Sequence, residues 1–189
     1  KGVNIGSPSA PENLQASIRA AEMLGARVIL LAFFGKDAPD MASEASYGPI
    51  VAMLQQTAKN AEDAGVVMGL ENSLSPSDNK KLVDLVDHPA VGVYYDAYNM
   101  ARFGYAGEAV EGIATLGKSR ICMAHVKNGG KPVESPDLFD WADAFREFSA
   151  IQYDGWFVYE TAHGSIAECI EDTARNNDFM RKHVQMPKG

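Results

Sequence analysis

Helical and strand-like stretches alternate along this chain, and its strands are apolar on both faces. Together these features predict an α/β fold built of βα units, with a parallel sheet covered by helices. A third observation concerns how the strands finish. VVMGLEN, Val66 to Asn72, is an apolar run that ends on a carboxylate, Glu71. A buried carboxylate is costly unless a cation, a proton or water meets it.

The elements follow in order. Leu14, Ile18, Ala21 and Leu24 fall at helical spacing, with Pro11 near the start and Gly25 at the stop. Arg27 to Phe34 reads as a buried strand closed by Gly35. Ile50, Met53, Leu54 and Ala61 predict a helix over 50–64 that stops at Gly65, and VVMGLEN follows as a strand. A helix around Asn79 to Val86 leads to the strand VGVYYD, Val91 to Asp96. A helix around Glu108 to Leu116, stopped by Gly117, leads to RICMAHV, Arg120 to Val126. Trp141, Phe145 and Phe148 share one face of a helix near Asp140 to Phe148, ahead of the strand WFVYE, Trp156 to Glu160. Ser165 and Glu168 form a capping box for a last helix.

The chain has 189 residues, about one domain's worth, and residues 1–189 read as a single domain without a linker. A formal charge of −8 with no basic block argues against a nucleic-acid partner. No apolar run approaches the ~20 residues of a membrane span, which argues against a membrane partner. The two cysteines, Cys122 and Cys169, are not spaced as a metal pair, and both read as packing residues. That usage makes a cytoplasmic location the default. The chain starts at Lys1 without a methionine, so a removed leader is not judged from it.

Four successive strands end on Glu71, Asp96, His125 and Glu160. In a parallel α/β barrel all C-terminal strand ends open on one face, which holds the active site. Each residue alone also reads as a surface group just past its strand. Together, three carboxylates meeting at one place do not all ionise unaided, and a divalent cation resolves the conflict. Three oxygens and one nitrogen suit one divalent metal ion, Mn²⁺ first, with Mg²⁺, Co²⁺ or Zn²⁺ as alternatives.

GLEN (Gly69 to Asn72), VYYDAYN (Val93 to Asn99), AHVKN (Ala124 to Asn128) and YDGWFVYET (Tyr153 to Thr161) resemble the sugar phosphate isomerase/epimerase family of xylose-isomerase-like barrels. The order and spacing of these motifs carry the resemblance. It implies a (β/α)₈ TIM barrel, with this chain corresponding to roughly strands 4–8 and GVNIGSP, Gly2 to Pro8, to the end of strand three. The missing N-terminal units suggest a larger protein, or a partner chain or homo-oligomer that completes the barrel.

The resemblance also implies that Glu71, Asp96, His125 and Glu160 hold the metal, and that Glu71 and Glu160 move a proton beside the carbonyl of a sugar or sugar phosphate through an enediolate. Asn99, where many relatives carry a histidine, reads as a substrate contact or a turn residue. Lys127 reads as a substrate or carboxylate contact, or as a solvated lysine. Phe34 walls the pocket or packs, and His163 lines the rim or sits in its loop. Asn128 replaces the aspartate usual after this lysine, Gly129-Gly130-Lys131 reads as a phosphate contact or a mobile loop, and His88 and His183 read as structural. Alternative activities on the same motifs are a metal-dependent lyase or dehydratase acting on an inosose or dehydroshikimate-like substrate, and a non-catalytic sugar-binding barrel. The related endonuclease IV barrels carry extra histidines that this chain lacks, which disfavours a nucleic-acid function.

Overall fold

A computed structural model describes residues 3, 4, 7 and 9–184. Six parallel strands form one sheet in sequence order: β1 (Val3–Asn4), β2 (Val28–Phe33), β3 (Val67–Asn72), β4 (Val91–Asp96), β5 (Ile121–Val126) and β6 (Phe157–Tyr159). Between them run α1 (Ala10–Leu24), α2 (Glu44–Asp63), α3 (Pro76–Val86), the short α4 (Ala97–Met100), α5 (Glu111–Leu116) and α6 (Trp141–Ala150), and α7 (Ile166–His183) follows β6. Every neighbouring pair is parallel, so all strands finish on the same rim. Of the GVNIGSP segment, only Val3, Asn4 and Ser7 lie among the described residues.

Local chemistry sets the boundaries. Gly25 and Asp87 take left-handed backbone at the ends of α1 and α3. Ser75 caps α3 by accepting from Asp78 N, and Asp140 caps α6 by accepting from Ala142 N at 2.8 Å. The expected capping box on α7 differs by one residue on its return arm: Ser165 accepts from Glu168 N, but Glu168 Oε2 accepts from Gly164 N. Helix α2 begins at Glu44 rather than Ile50, because Pro49 sits inside the helix instead of before it. After β4 the chain makes α4 and a wide π-type turn over Ala101–Tyr105, an element with no periodic signal in the sequence.

Strands β3 and β4 are buried along nearly their whole length, as parallel strands covered by helices should be. The expectation of equal burial does not hold for β2 and β6. Their residues are mostly half-buried, because each lies toward an edge of the described sheet. Trp156, Ile166 and Ile170 stand exposed along the β6–α7 flank. The expectation that Cys169 packs is overturned: its side chain is exposed. The first turns of α7 stand clear of the core, and the helix first buries a residue at Asn176, which accepts from Val133 N at 3.3 Å. Cys122 is half-buried, and its Sγ donates to Val93 O at 3.4 Å.

The core beneath the sheet joins Trp141, Phe145 and Phe148 of α6 with Tyr95, Leu70 and Ile113. Gly112 is what lets α5 approach α3 and β4. A Cβ there would come within 2.4 Å of Pro76 Cγ and 2.6 Å of the Tyr95 hydroxyl. In an open helix Gly→Ala stabilises, because it limits the unfolded chain. Here overpacking reverses the sign. Gly112→Ala is expected to lower the unfolding free energy in urea by about 1–3 kcal/mol, and a stabilised variant would contradict this close packing.

Candidate metal centre

The rim gathers the four strand-end groups. One ligand atom from each of Glu71, Asp96, His125 and Glu160 lies within 4.8 Å of the others. Glu71 and Asp96 are buried and His125 nearly so, whereas the side chain of Glu160 is 53% exposed. His125 points a single nitrogen, Nδ1, at all three carboxylates: 3.0 Å to Glu71 Oε1 and 3.5 Å to both Asp96 Oδ2 and Glu160 Oε2.

A β-bulge sets this alignment. The β4–β5 register runs Val93 to Ile121, then Tyr94 to Met123 and Asp96 to His125. The extra residue, Cys122, shifts the pairing by one. Had the pairing continued in step from Val93 and Ile121, Asp96 would face Ala124, and His125 would turn to the opposite side of the sheet. Below the site the Tyr94 ring lies 4.4 Å from the imidazole. Gly69 makes room for Tyr94, since a Cβ there would lie 3.1 Å from its ring.

The groups around the ligands are themselves held. Asn72 exchanges side-chain hydrogen bonds with Asn79 at 2.7 and 3.0 Å and accepts from Leu74 N, which pins the turn that follows Glu71. Asn99, buried, donates from Nδ2 to Glu71 Oε1 at 2.9 Å, and its backbone N–H donates to Asp96 Oδ1 at 2.8 Å. Lys127 places Nζ 2.8 Å from Asp96 Oδ2 and 2.5 Å from Glu160 Oε2. Phe34 continues the extended backbone two residues past Ala32, the β-partner of Glu71, so its side chain falls on the face that carries Glu71. It stacks on Phe103 of the π-type turn with ring centroids 5.9 Å apart.

His163 stands apart from this cluster in its described contacts. Its Nε2 meets Thr161 Oγ1 at 2.6 Å and its Nδ1 meets Asp172 Oδ2 at 3.1 Å, so it ties the β6–α7 loop to α7. Asn128 is buried and donates to Pro132 O and Ser135 O, a loop clasp. Lys131 pairs with Asp137 at 3.0 Å. His88 Nδ1 accepts from Ala90 N, and the His183 ring lies 4.6 Å from Phe179. Two contributors carry no periodic or compositional signal: Phe103, and the hold of Asn99 on Glu71.

The donor set fits a divalent ion. Asp96 Oδ2 is buried and makes no aligned hydrogen bond among the described residues, although Lys127 Nζ lies in charge contact with it. It is an oxygen turned into the cluster with a lone pair to give. Burial pushes the Glu71 carboxyl up, and the nearby imidazole only partly offsets this. Burial also works against the charged form of Asp96, but His125 and Lys127 outweigh it and hold its pKa below the usual range. For Lys127 burial favours the neutral amine, and Asp96 and Glu160 outweigh it and keep the ammonium charged. His125 follows the same pattern: burial would lower its pKa, but hydrogen bonds to Asp96 and Glu71 raise it from 6.5 to about 9.

A family model described as a xylose isomerase-like TIM barrel matches residues 3–183. Among solved structures, the chain is similar to a D-psicose 3-epimerase from Clostridium cellulolyticum H10 determined with D-tagatose. The identity is 19% and the TM-score 0.75, over 96% of this chain and 75% of that one. It is also similar to a xylose isomerase domain protein from Planctomyces limnophilus, at 18% identity and TM-score 0.74 over 96% of this chain and 71% of that one. A D-allulose 3-epimerase from Methylomonas sp. matches at 16% identity and TM-score 0.75, over 97% of this chain and 74% of that one. At these identities the likeness is one of fold. None of the curated proteins matches the chain.

The raised histidine has a consequence for protein kept in a chelator. A group whose pKa rises on folding stabilises the fold fully below its unfolded value, near 6.5, and that contribution is lost as pH rises through about 9. Chelated protein is therefore expected to lose unfolding free energy between pH 6.5 and 9 in urea titrations, and His125→Asn is expected to flatten that part of the profile. An unchanged slope in the variant would contradict the assignment.

Proposed function

Because the chain belongs to the xylose isomerase-like TIM barrel family, we propose that it is a divalent-metal sugar isomerase or epimerase that moves a proton beside a carbonyl. The observation that carries this reading is the convergence of Glu71 and Glu160 with Asp96 and His125 at one rim. Substrate class follows from the company the fold keeps: the similar structures are described as epimerases of psicose, allulose and ribulose. A small sugar or sugar phosphate is the substrate proposed here.

Glu71, Asp96, His125 and Glu160 would hold one divalent ion, Mn²⁺ first among Mg²⁺, Co²⁺ and Zn²⁺. When bound, such an ion supplies Lewis-acid polarisation of the substrate carbonyl and its neighbouring hydroxyl. The rest of the chemistry belongs to the chain. Glu71 and Glu160 come from β3 and the end of β6, with β4 and β5 between them, so they approach a substrate from different sides. Two carboxylates on two faces of an enediolate can remove a proton from one face and return it to the other, which is epimerisation. Glu71, sheltered from water at the end of β3, is suited to carry the proton. Glu160, with half its side chain in solvent, is suited to take it. Asn99 fixes the orientation of Glu71, so its part is to position rather than to contact the sugar. Phe34 and Phe103 offer an apolar wall for the C–H face of a sugar.

Incubation with Mn²⁺ and D-psicose, D-tagatose, D-fructose or L-ribulose in deuterated water is expected to place deuterium beside the carbonyl. Glu160→Gln keeps the size of the side chain but removes the base, so turnover is expected to fall about 10²–10⁴-fold. Ion occupancy is measured beside the rate, because a charged ligand is also lost. Full turnover by a metal-loaded Glu160→Gln protein would sink the base role. Isomerised product without label would move the mechanism to a hydride shift.

A further inference from the structure

Lys127 touches the same carboxylates that the proposed ion would use. Its Nζ lies 2.8 Å from Asp96 Oδ2 and 2.5 Å from Glu160 Oε2. Asp96 Oδ1 is already taken by Asn99 N, so Oδ2 is the oxygen that faces the centre. The Lys127 side chain is only 14% exposed, and a contact so sheltered is not a screened surface pair. Its main chain is anchored, because Lys127 O accepts from the indole N–H of buried Trp141 at 2.9 Å. The anchored backbone and the flexible four-carbon stem together allow the head group to swing while the residue stays in place.

An ammonium and a divalent ion do not share Asp96 Oδ2 and Glu160 Oε2 without like-charge repulsion at close range. We infer that Lys127 is a resident counter-cation that a divalent ion displaces from Asp96 and Glu160, and that the displaced ammonium becomes the donor that takes a hydroxyl or oxyanion of the substrate. This rests on the reading of the centre as a metal site. It makes ion binding and substrate contact sequential. The carboxylates stay neutralised by Lys127 until the ion arrives, and only then is the lysine free to serve the sugar. A fixed strut holding Glu160 in ligand position would have the opposite effect on ion affinity, and the experiment separates the two.

The experiment uses the whole chain stripped with chelator and titrated with Mn²⁺ by calorimetry. Lys127→Met keeps the length and removes the charge, and is expected to bind Mn²⁺ about tenfold more tightly or better, because a like charge has left the centre. Lys127→Arg keeps the charge and is expected to stay near wild type. In parallel, acetylation of Lys127 is followed by mass spectrometry in wild-type protein. Labelling is expected to speed up several-fold on Mn²⁺ saturation and to slow again when D-tagatose is added. Equal or weaker Mn²⁺ binding by Lys127→Met, or a labelling rate indifferent to Mn²⁺, would overturn the displacement. Wild-type protein that binds no Mn²⁺ would remove the metal reading and this inference with it, whereas normal Mn²⁺ binding without a lysine response would remove this inference alone.

Discussion

Three carboxylates and one imidazole nitrogen held within 4.8 Å of one another set the terms for everything else at the rim. Such a group of acids is stable only where positive charge meets it. Here the charge comes from His125, whose Nδ1 faces all three carboxylates, and from Lys127, whose ammonium bridges Asp96 and Glu160. The pKa directions follow from that balance. Asp96, most deeply buried and within 3.5 Å of both cations, stays below its usual value, while Glu71 is pushed up by burial and only partly relieved by the histidine. A centre balanced in this way is ready for a divalent ion, because a stronger cation can take over the same oxygens.

The scaffold imposes the convergence. Parallel strands all end on one rim, so the side chains at the ends of β3, β4 and β5 and just past β6 project into a shared space. Parallel pairing alone would not align His125 with Asp96, and the bulge at Cys122 does. The paired asparagines Asn72 and Asn79 hold the turn after Glu71, and Asn99 holds the Glu71 carboxylate itself. These are buried polar hydrogen bonds, the kind that rigidify the geometry around them. The site is therefore rigid at Glu71 and Asp96 and open at Glu160, whose carboxylate sits past the last strand with half its surface in solvent.

Much of this was legible in the amino-acid order. Apolar runs that stop on Glu71, Asp96 and His125 mark buried strands and their functional ends together, because few other arrangements place a charge there. Glycines and caps marked most helix boundaries. What stayed hidden depends on register and on contacts between distant segments. Nothing local in RICMAHV announces that Cys122 is the extra residue of a bulge. The π-type turn that brings Phe103 onto Phe34 has no hydrophobic period to reveal it. Asn99 lies in the first turn of α4, where its backbone N–H donates to the cap Asp96 while its amide reaches across to Glu71, a contact no local pattern reveals. His163 carried the right residue type in the right neighbourhood, yet its described partners are Thr161 and Asp172. Cys169 lies on a helix whose first turns do not pack, and periodicity cannot tell a covered face from an uncovered one.

The central claim is that these four side chains form one metal centre. Anomalous diffraction from crystals soaked in Mn²⁺ tests it most directly. The account predicts one strong peak bounded by Glu71, Asp96, His125 and Glu160, at ~2.0–2.6 Å from their oxygens and from His125 Nδ1. A peak at another place, or none at saturating Mn²⁺ while the four side chains remain clustered, would contradict it.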